Sequence, residues 1–179
     1  QSYARLDALG LAAGISNENL WWGPGQRYPL LMSANAPGFP HIFVGTGRPF
    51  DLYIGTVEFE AVWGRLEESD HFDLDAENDD VLFSGILASF SPRGLTGLSV
   101  GIARSFLTYY DQLSTRERIL NPYVEVRDNP LGRNNPDADN QLLSVFGRWA
   151  VPGAGFEIYG EWAREDHWAD YKHLLPAPD

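Results

Sequence analysis

Apolar and polar side chains alternate along several long stretches of the chain, and this alternation predicts β-strands with one apolar face. In Leu52–Leu66 the odd-numbered positions from Tyr53 to Trp63 are almost all apolar or aromatic, whereas Glu58 and Glu60 lie on the opposite face. The same pattern predicts four more strands, at Val81–Phe90, Leu98–Tyr110, Gln141–Ala150 and Phe156–Asp166. The fold class indicated is therefore all-β.

The lengths of the strands and of their connections favour a membrane barrel. Soluble strands usually have about 5–6 residues, whereas a strand that crosses a bilayer needs about 9–11. Long and short connections alternate along the chain: Glu67–Asp80 (long), Ser91–Gly97 (short), Asp111–Asn140 (long), Val151–Gly155 (short) and a long stretch from His167. Outer-membrane barrels have short turns at the periplasmic end and long loops outside. We therefore predict an antiparallel up-and-down transmembrane β-barrel in which Leu52–Leu66 runs outward.

The number of predicted strands implies an incomplete sector of such a barrel, because the smallest single-chain barrels have about 8 strands. Residues 1–179 are expected to belong to one barrel domain, with an irregular Trp/Gly/Pro-rich part and short strands at 1–51, a meander of long strands at 52–166 and the start of a loop at 167–179. A soluble β-sandwich is the alternative. It explains less well the strand lengths and the positions of Trp63 and Trp162 near strand ends, where a membrane barrel carries an aromatic girdle.

The N-terminal third gives weaker signals. Tyr3–Ile15 is rich in Ala and Gly and fits either a helix or a strand. Trp21 and Trp22 precede a Gly-Pro-Gly bend, and Leu30–Ser33 is predicted as a short apolar strand. The paired Trp rings are either a structural corner or a stacking surface for sugar rings, whose C–H groups pack on aromatic planes.

Composition and motifs exclude several functions. Asp and Glu number 25 against 13 Lys and Arg, a formal charge of −12, and nucleic-acid binding needs a basic surface. The chain has no Cys, and its four His form no zinc motif. The acidic stretch Asp70–Asp80 lacks the Gly and the final Glu of a calcium loop, which favours a solvated loop. We expect no metal, no cofactor and no catalytic residue.

Two pairs of carboxylates leave open the interpretation that the protein hydrolyses glycosides. Glu58 with Glu60, and Glu157 with Glu161, each share a strand face, and two carboxylates can hydrolyse glycosides. A polar lumen face is the simpler interpretation. In that case the carboxylates are expected to form ion pairs inside the barrel with four arginines: Arg65, Arg104, Arg148 and Arg164.

Four strings carry a family resemblance: NLWWGPG at residues 19–25, LLMSANAP at residues 30–37, DNQ at residues 139–141 and GEWAREDH at residues 160–167. Together they resemble the capsule assembly protein Wzi family over most of the chain. The resemblance implies an outer-membrane barrel, monomeric and embedded in outer-membrane lipid, that binds capsular or other surface polysaccharide without catalysis. Alternatives are a soluble β-sandwich carbohydrate-active enzyme or carbohydrate-binding module, and a general porin. The candidate glycan-binding residues are Trp21, Trp22, Arg27, Asn35, Glu58, Glu60, Glu157, Glu161 and Arg164.

Overall fold

A single antiparallel sheet makes up most of the computed structural model, which describes residues 2–67, 80–109, 115–120 and 139–165. Its strands are β1 (Tyr3–Ala8), β2 (Leu11–Ser16), β3 (His41–Thr46), β4 (Phe50–Leu52), β5 (Gly55–Glu67), β6 (Asp80–Pro92), β7 (Leu98–Tyr109), β8 (Asp139–Val151) and β9 (Phe156–Glu165). A short helix, α1 (Thr115–Leu120), and a 3-10 turn (Pro152–Ala154) complete the described elements.

The strands are paired in the order β1-β2-β3-β5-β6-β7-β8-β9, and the short β4 pairs with β5 beside the end of β3. Every pairing is antiparallel. Each joins two strands that are consecutive in the sequence, except the pairing of β3 with β5, which skips β4. The result is an up-and-down meander, an open sheet whose outermost described strands are β1 and β9. It confirms the prediction of an all-β sector of an up-and-down barrel.

The strongly alternating strands were predicted well, and the N-terminal third was not. β5 begins at Gly55 and not at Leu52, because residues 53–54 form a tight turn that pairs β4 back onto β5. Tyr3–Ile15 is a strand hairpin whose turn places Leu9 at φ 54° and Gly10 at φ 84°, the type I′ geometry that suits strand twist. The predicted strand Leu30–Ser33 is wrong, since only Met32 forms an isolated bridge, to Trp22.

The alternation of short and long connections is confirmed and extends to the N-terminal third. Short turns at residues 9–10, 47–54, 93–97 and 152–155 lie at one end of the sheet, which we call the turn end. Residues 17–40, the end of β5, the start of β6, the end of β7 and the start of β8 lie at the other, the loop end. The acidic loop predicted at Asp70–Asp80 falls almost wholly at residues 68–79, outside the described residues.

The pairing register gives the sheet an apolar face and a polar face. Trp63 on β5 lies opposite Ile42 and Ser84, and Trp162 on β9 lies opposite Val145, all on the apolar face. Large side chains on this face stay exposed, including Ile15 (59%), Ile42 (55%), Ile102 (47%), Val145 (45%), Ile158 (55%) and Trp162 (47%). A contiguous exposed apolar surface of this kind marks contact with another apolar phase.

The packed core lies on the polar face, between the sheet and residues 17–40, which we call the inner segment. Trp22 of this segment is 1% exposed and packs with Val62 of β5, Phe83 of β6 and Ala103 of β7. The described residues form one sheet, so the core is not enclosed by a second sheet as the β-sandwich alternative requires. No described helix is long and apolar enough to span a bilayer.

Candidate functional site

Trp22 anchors the inner segment to the polar face of the sheet. Its ring lies 6.0 Å from the Phe83 ring, and its Nε1 donates a hydrogen bond of 3.2 Å to Glu60 Oε1. The ring also covers Gly85, where a Cβ atom would lie 2.6 Å from the indole. Because Gly85 has no side chain, the indole can come close to the backbone of β6. Trp22 therefore supports the segment, and its buried ring is not available for stacking on a sugar.

Glu161 of β9 holds the middle of the inner segment. Its Oε1 accepts a 2.7 Å hydrogen bond from Ser144 Oγ, and its Oε2 accepts a 3.0 Å bond from the backbone N–H of Leu30. The carboxylate also lies against Gly23, where a Cβ atom would come within 2.9 Å of either oxygen and where φ is +126°. A side chain at Gly23 would therefore be strained and would collide with the carboxylate.

Glu157 provides a second, weaker attachment at the turn end. Arg148 on the neighbouring strand donates two hydrogen bonds of 3.0 Å to its carboxylate, and Gln26 of the inner segment approaches at 3.5 Å. The Arg148 and Glu157 side chains remain 48% and 29% exposed, so water screens much of the attraction. This pair is the one predicted lumenal ion pair that the described structure confirms.

The other three predicted lumenal arginines lie on the wrong face. Arg65 follows Trp63 on the apolar face of β5. Arg104 and Arg164 both lie opposite Leu143, which shares the apolar face with Val145. The prediction of ion pairs between these three residues and the lumenal carboxylates is wrong, because strand alternation directs them away from the polar face. Arg164 is likewise separated by the sheet from the other candidate glycan-binding residues.

A polar hollow of about 350 Å³ opens beside the inner segment, over the loop ends of β1 to β3. Its lining includes Tyr3, Arg5, Glu18, Asn19, His41 and Glu60. The volume falls within the range of small-ligand pockets. Arg5 is fixed by a bidentate contact with Asp7 at 2.8 to 3.1 Å, and Tyr3 is 63% exposed, which leaves a ring face available at the mouth. Among the predicted site residues, only Glu60 lines this hollow.

Further exposed polar and aromatic groups lie along the same side of the molecule. Trp21 is 42% exposed, and Arg27, Asn35 and Glu58 are also exposed. Two aromatic residues that the sequence analysis did not select, Tyr28 (69%) and Tyr159 (46%), are open as well. Tyr159 could have been found from the alternation, because it lies between Glu157 and Glu161 on the predicted polar face. Tyr28 has no comparable signal.

The described residues contain no cluster of His, Asp and Glu arranged to hold a metal ion. What the geometry offers is a set of hydrogen-bonding groups and exposed rings on the inside of an open barrel sheet whose outside is apolar. These features define the class of transmembrane-type β-barrels with a filled, polar interior.

The chain belongs to the capsule assembly protein Wzi family, whose family model matches residues 1–174. Neither the curated proteins nor the solved structures include a match to this chain.

Proposed function

We propose that this chain is part of an outer-membrane barrel that takes part in the assembly and attachment of capsular or other surface polysaccharide, and that binds the glycan without catalysis. The observation that carries the proposal is the polar hollow of about 350 Å³ at the loop end. It combines charged and amide groups with the open ring of Tyr3. Sugars are recognised by this combination, because their hydroxyls need hydrogen-bond partners and their C–H faces pack on aromatic rings.

Placement in the outer membrane is supported by the apolar face. Its exposed Ile, Val and Trp side chains match the lipid-facing band of a barrel, and the short and long connections match the two ends. With the loop end outside, the polar hollow opens toward the cell exterior, where a capsule would be. The formal charge of −12 supports the absence of a nucleic-acid partner. We further propose that the barrel acts as a monomer.

Binding without catalysis is supported by what the carboxylates already do. Glu60 accepts the indole N–H of Trp22, Glu161 accepts Ser144 and Leu30, and Glu157 pairs with Arg148. Each of these three carboxylates holds a structural contact, whereas hydrolysis of a glycoside needs a pair of carboxyl groups facing a scissile bond. The inner segment also covers the polar face, which supports a filled interior over the wide lumen of a general porin.

The proposal is tested with full-length protein carrying Tyr3→Ala and Arg5→Ala together. We expect at least a tenfold loss of affinity for capsular polysaccharide in a binding assay, and release of capsule into the medium by cells that express the variant. The matched control is Tyr53→Ala with Arg48→Ala, an exposed Tyr and an exposed Arg at the turn end. Unchanged affinity in the first variant, or an equal loss in both, would overturn this site.

A further inference from the structure

The polar hollow is built by the sheet and by the inner segment together. The pairing register puts Tyr3, Ser16 and His41 in one row across β1, β2 and β3, on the polar face. Glu60 of β5 and Glu18, at the beginning of the inner segment, complete the charged and polar part of the lining with Arg5. The atoms of these side chains that have no partner within the protein decide which sugar unit the hollow can accept.

Arg5 is the only Arg or Lys among the described residues that line the hollow, and Asp7 already occupies it. Its Nε donates to both carboxylate oxygens of Asp7, at 3.1 and 3.0 Å, and its Nη2 donates to one of them at 2.8 Å. A guanidinium group binds a carboxylate most strongly through such paired N–H groups. Arg5 therefore cannot offer this pair to an acidic sugar unless it releases Asp7.

Two carboxylates of the lining have no cation bound to them. Glu60 Oε1 accepts the neutral indole N–H of Trp22, and its other oxygen has no partner among the described residues. The Glu18 backbone N–H donates to Ser16 Oγ, but the Glu18 carboxylate makes no hydrogen bond or ion pair within the described part of the chain. Both side chains are partly buried. This region therefore holds one guanidinium group against three carboxylates, those of Asp7, Glu18 and Glu60.

His41 adds a further acceptor. The residue is 5% exposed, and its Nδ1 lies 2.8 Å from the carbonyl oxygen of Phe39. Because a carbonyl oxygen can only accept, Nδ1 donates, and in the neutral ring Nε2 is left as an acceptor. Nε2 has no partner among the described residues. Buried polar atoms are normally hydrogen-bonded, so this nitrogen favours a ligand that donates.

We propose that the polar hollow takes a sugar unit that presents hydroxyl or amino donors and carries no acidic group. This inference rests on the proposed function and adds the class of sugar. The open atoms of Glu18, Glu60 and His41 are acceptors, which hydroxyl and ammonium groups can satisfy. A uronic acid would instead bring a carboxylate beside two others in a site partly removed from water, where like charges repel more strongly. The exposed ring of Tyr3 can pack on the C–H face of either kind of unit.

The test measures the affinity of detergent-purified full-length protein for three β-1,4-linked oligosaccharides of equal length, built from glucose, glucosamine or glucuronic acid. The three differ at one substituent of each ring, so a difference in affinity reports the charge of the unit. At low salt, and at a pH that keeps the amine protonated, we expect the glucosamine oligomer to bind most tightly. The glucuronic acid oligomer should bind about fivefold more weakly than the glucose oligomer. Added salt should reduce both differences.

Glu18→Gln tests the source of the selectivity. It should strengthen binding of the glucuronic acid oligomer and weaken binding of the glucosamine oligomer, each about two- to fivefold. Opposite shifts of this kind do not arise from a general loss of structure. The matched control is Glu165→Gln, which removes an exposed carboxylate from the polar face at the loop end of β9, outside the lining of the hollow. It should leave both affinities unchanged.

Two results overturn the inference: equal or tighter binding of the glucuronic acid oligomer relative to the glucose oligomer, and equal shifts in Glu18→Gln and Glu165→Gln. If the glucuronic acid oligomer binds tightly and Tyr3→Ala removes that binding, the hollow still binds glycan and only the class of sugar is wrong. If none of the three oligomers binds, the inference is overturned, whereas the proposed function is decided separately by the assay with capsular polysaccharide.

Discussion

Glu161 joins the inner segment to the last described strand, so its replacement by alanine measures how firmly the segment is held. The variant loses the carboxylate that accepts hydrogen bonds from the Ser144 hydroxyl and from the Leu30 N–H. Ser144 is 0% exposed, so water cannot replace the lost partner of its hydroxyl. A hydrogen bond to a charged group contributes about 1.5–3 kcal/mol, and a buried polar group without a partner costs about 1–3 kcal/mol. Because Glu161 is partly exposed, we expect the inner segment to lose ~2 kcal/mol of docking free energy.

Limited proteolysis with trypsin reads out this loss. Arg27 is exposed within the inner segment, but cleavage requires the surrounding chain to leave the sheet and enter the protease. When opening is fast relative to cleavage, the rate follows the population of the open form. A loss of ~2 kcal/mol then accelerates cleavage after Arg27 about 30-fold. Glu161→Gln, which keeps one acceptor oxygen, should give an intermediate rate.

Glu58→Ala is the control, since it removes an exposed carboxylate from the same polar face without touching the inner segment. Its cleavage rate should match that of the unmodified protein. The reasoning about Glu161 is refuted if Glu161→Ala is cleaved at the unmodified rate while the barrel remains folded by heat-modifiable gel mobility. A general loss of the fold would appear as cleavage at many sites and not mainly after Arg27.

Two further substitutions test the sheet itself. Gly97→Ala should destabilise the protein by about 1–3 kcal/mol in denaturant unfolding, because Gly97 has φ +81° and a Cβ there would lie 1.9 Å from the carbonyl oxygen of Ala150. The control is Gly94→Ala, which has open space around it and should change stability by less than about 1 kcal/mol. Ile102→Arg should cost about 2–4 kcal/mol in lipid, since it places a charge midway up the apolar face, whereas Ser89→Arg on the polar face should cost much less. Equal effects within either pair would contradict the assigned turn geometry or the assigned faces.

Local alternation was enough to predict the long strands, and it failed where packing between distant segments decides the structure. β5 to β9 carry β-branched and aromatic residues at period two, so each strand has a clear face. β1 to β3 are six residues long, and the Ala and Gly of β2 give little contrast between faces. β3 was missed, and β1 with β2 stayed ambiguous between helix and strand.

The candidate site was predicted only in part, for two different reasons. The error over Arg65 and Arg164 was avoidable, because alternation alone puts both on the faces of Trp63 and Trp162. The hollow beside Glu60 was not predictable in the same way. It forms only because the inner segment crosses the sheet from β2 to β9, and Leu30 and Glu161 are 131 positions apart in the sequence. No local pattern encodes such a contact.

That separation of 131 positions also bears on the order in which the molecule assembles. The meander can grow strand by strand, since each hairpin joins sequence neighbours and closes a comparatively short loop. The inner segment precedes most of the sheet in the sequence, and its partners Phe83, Gly85 and Glu161 lie on strands that follow it. Trp22 can pack once β5, β6 and β7 have paired, whereas the contacts of Gly23 and Leu30 with Glu161 need β9. Docking of the inner segment is therefore completed only when the last described strand has joined in the correct register.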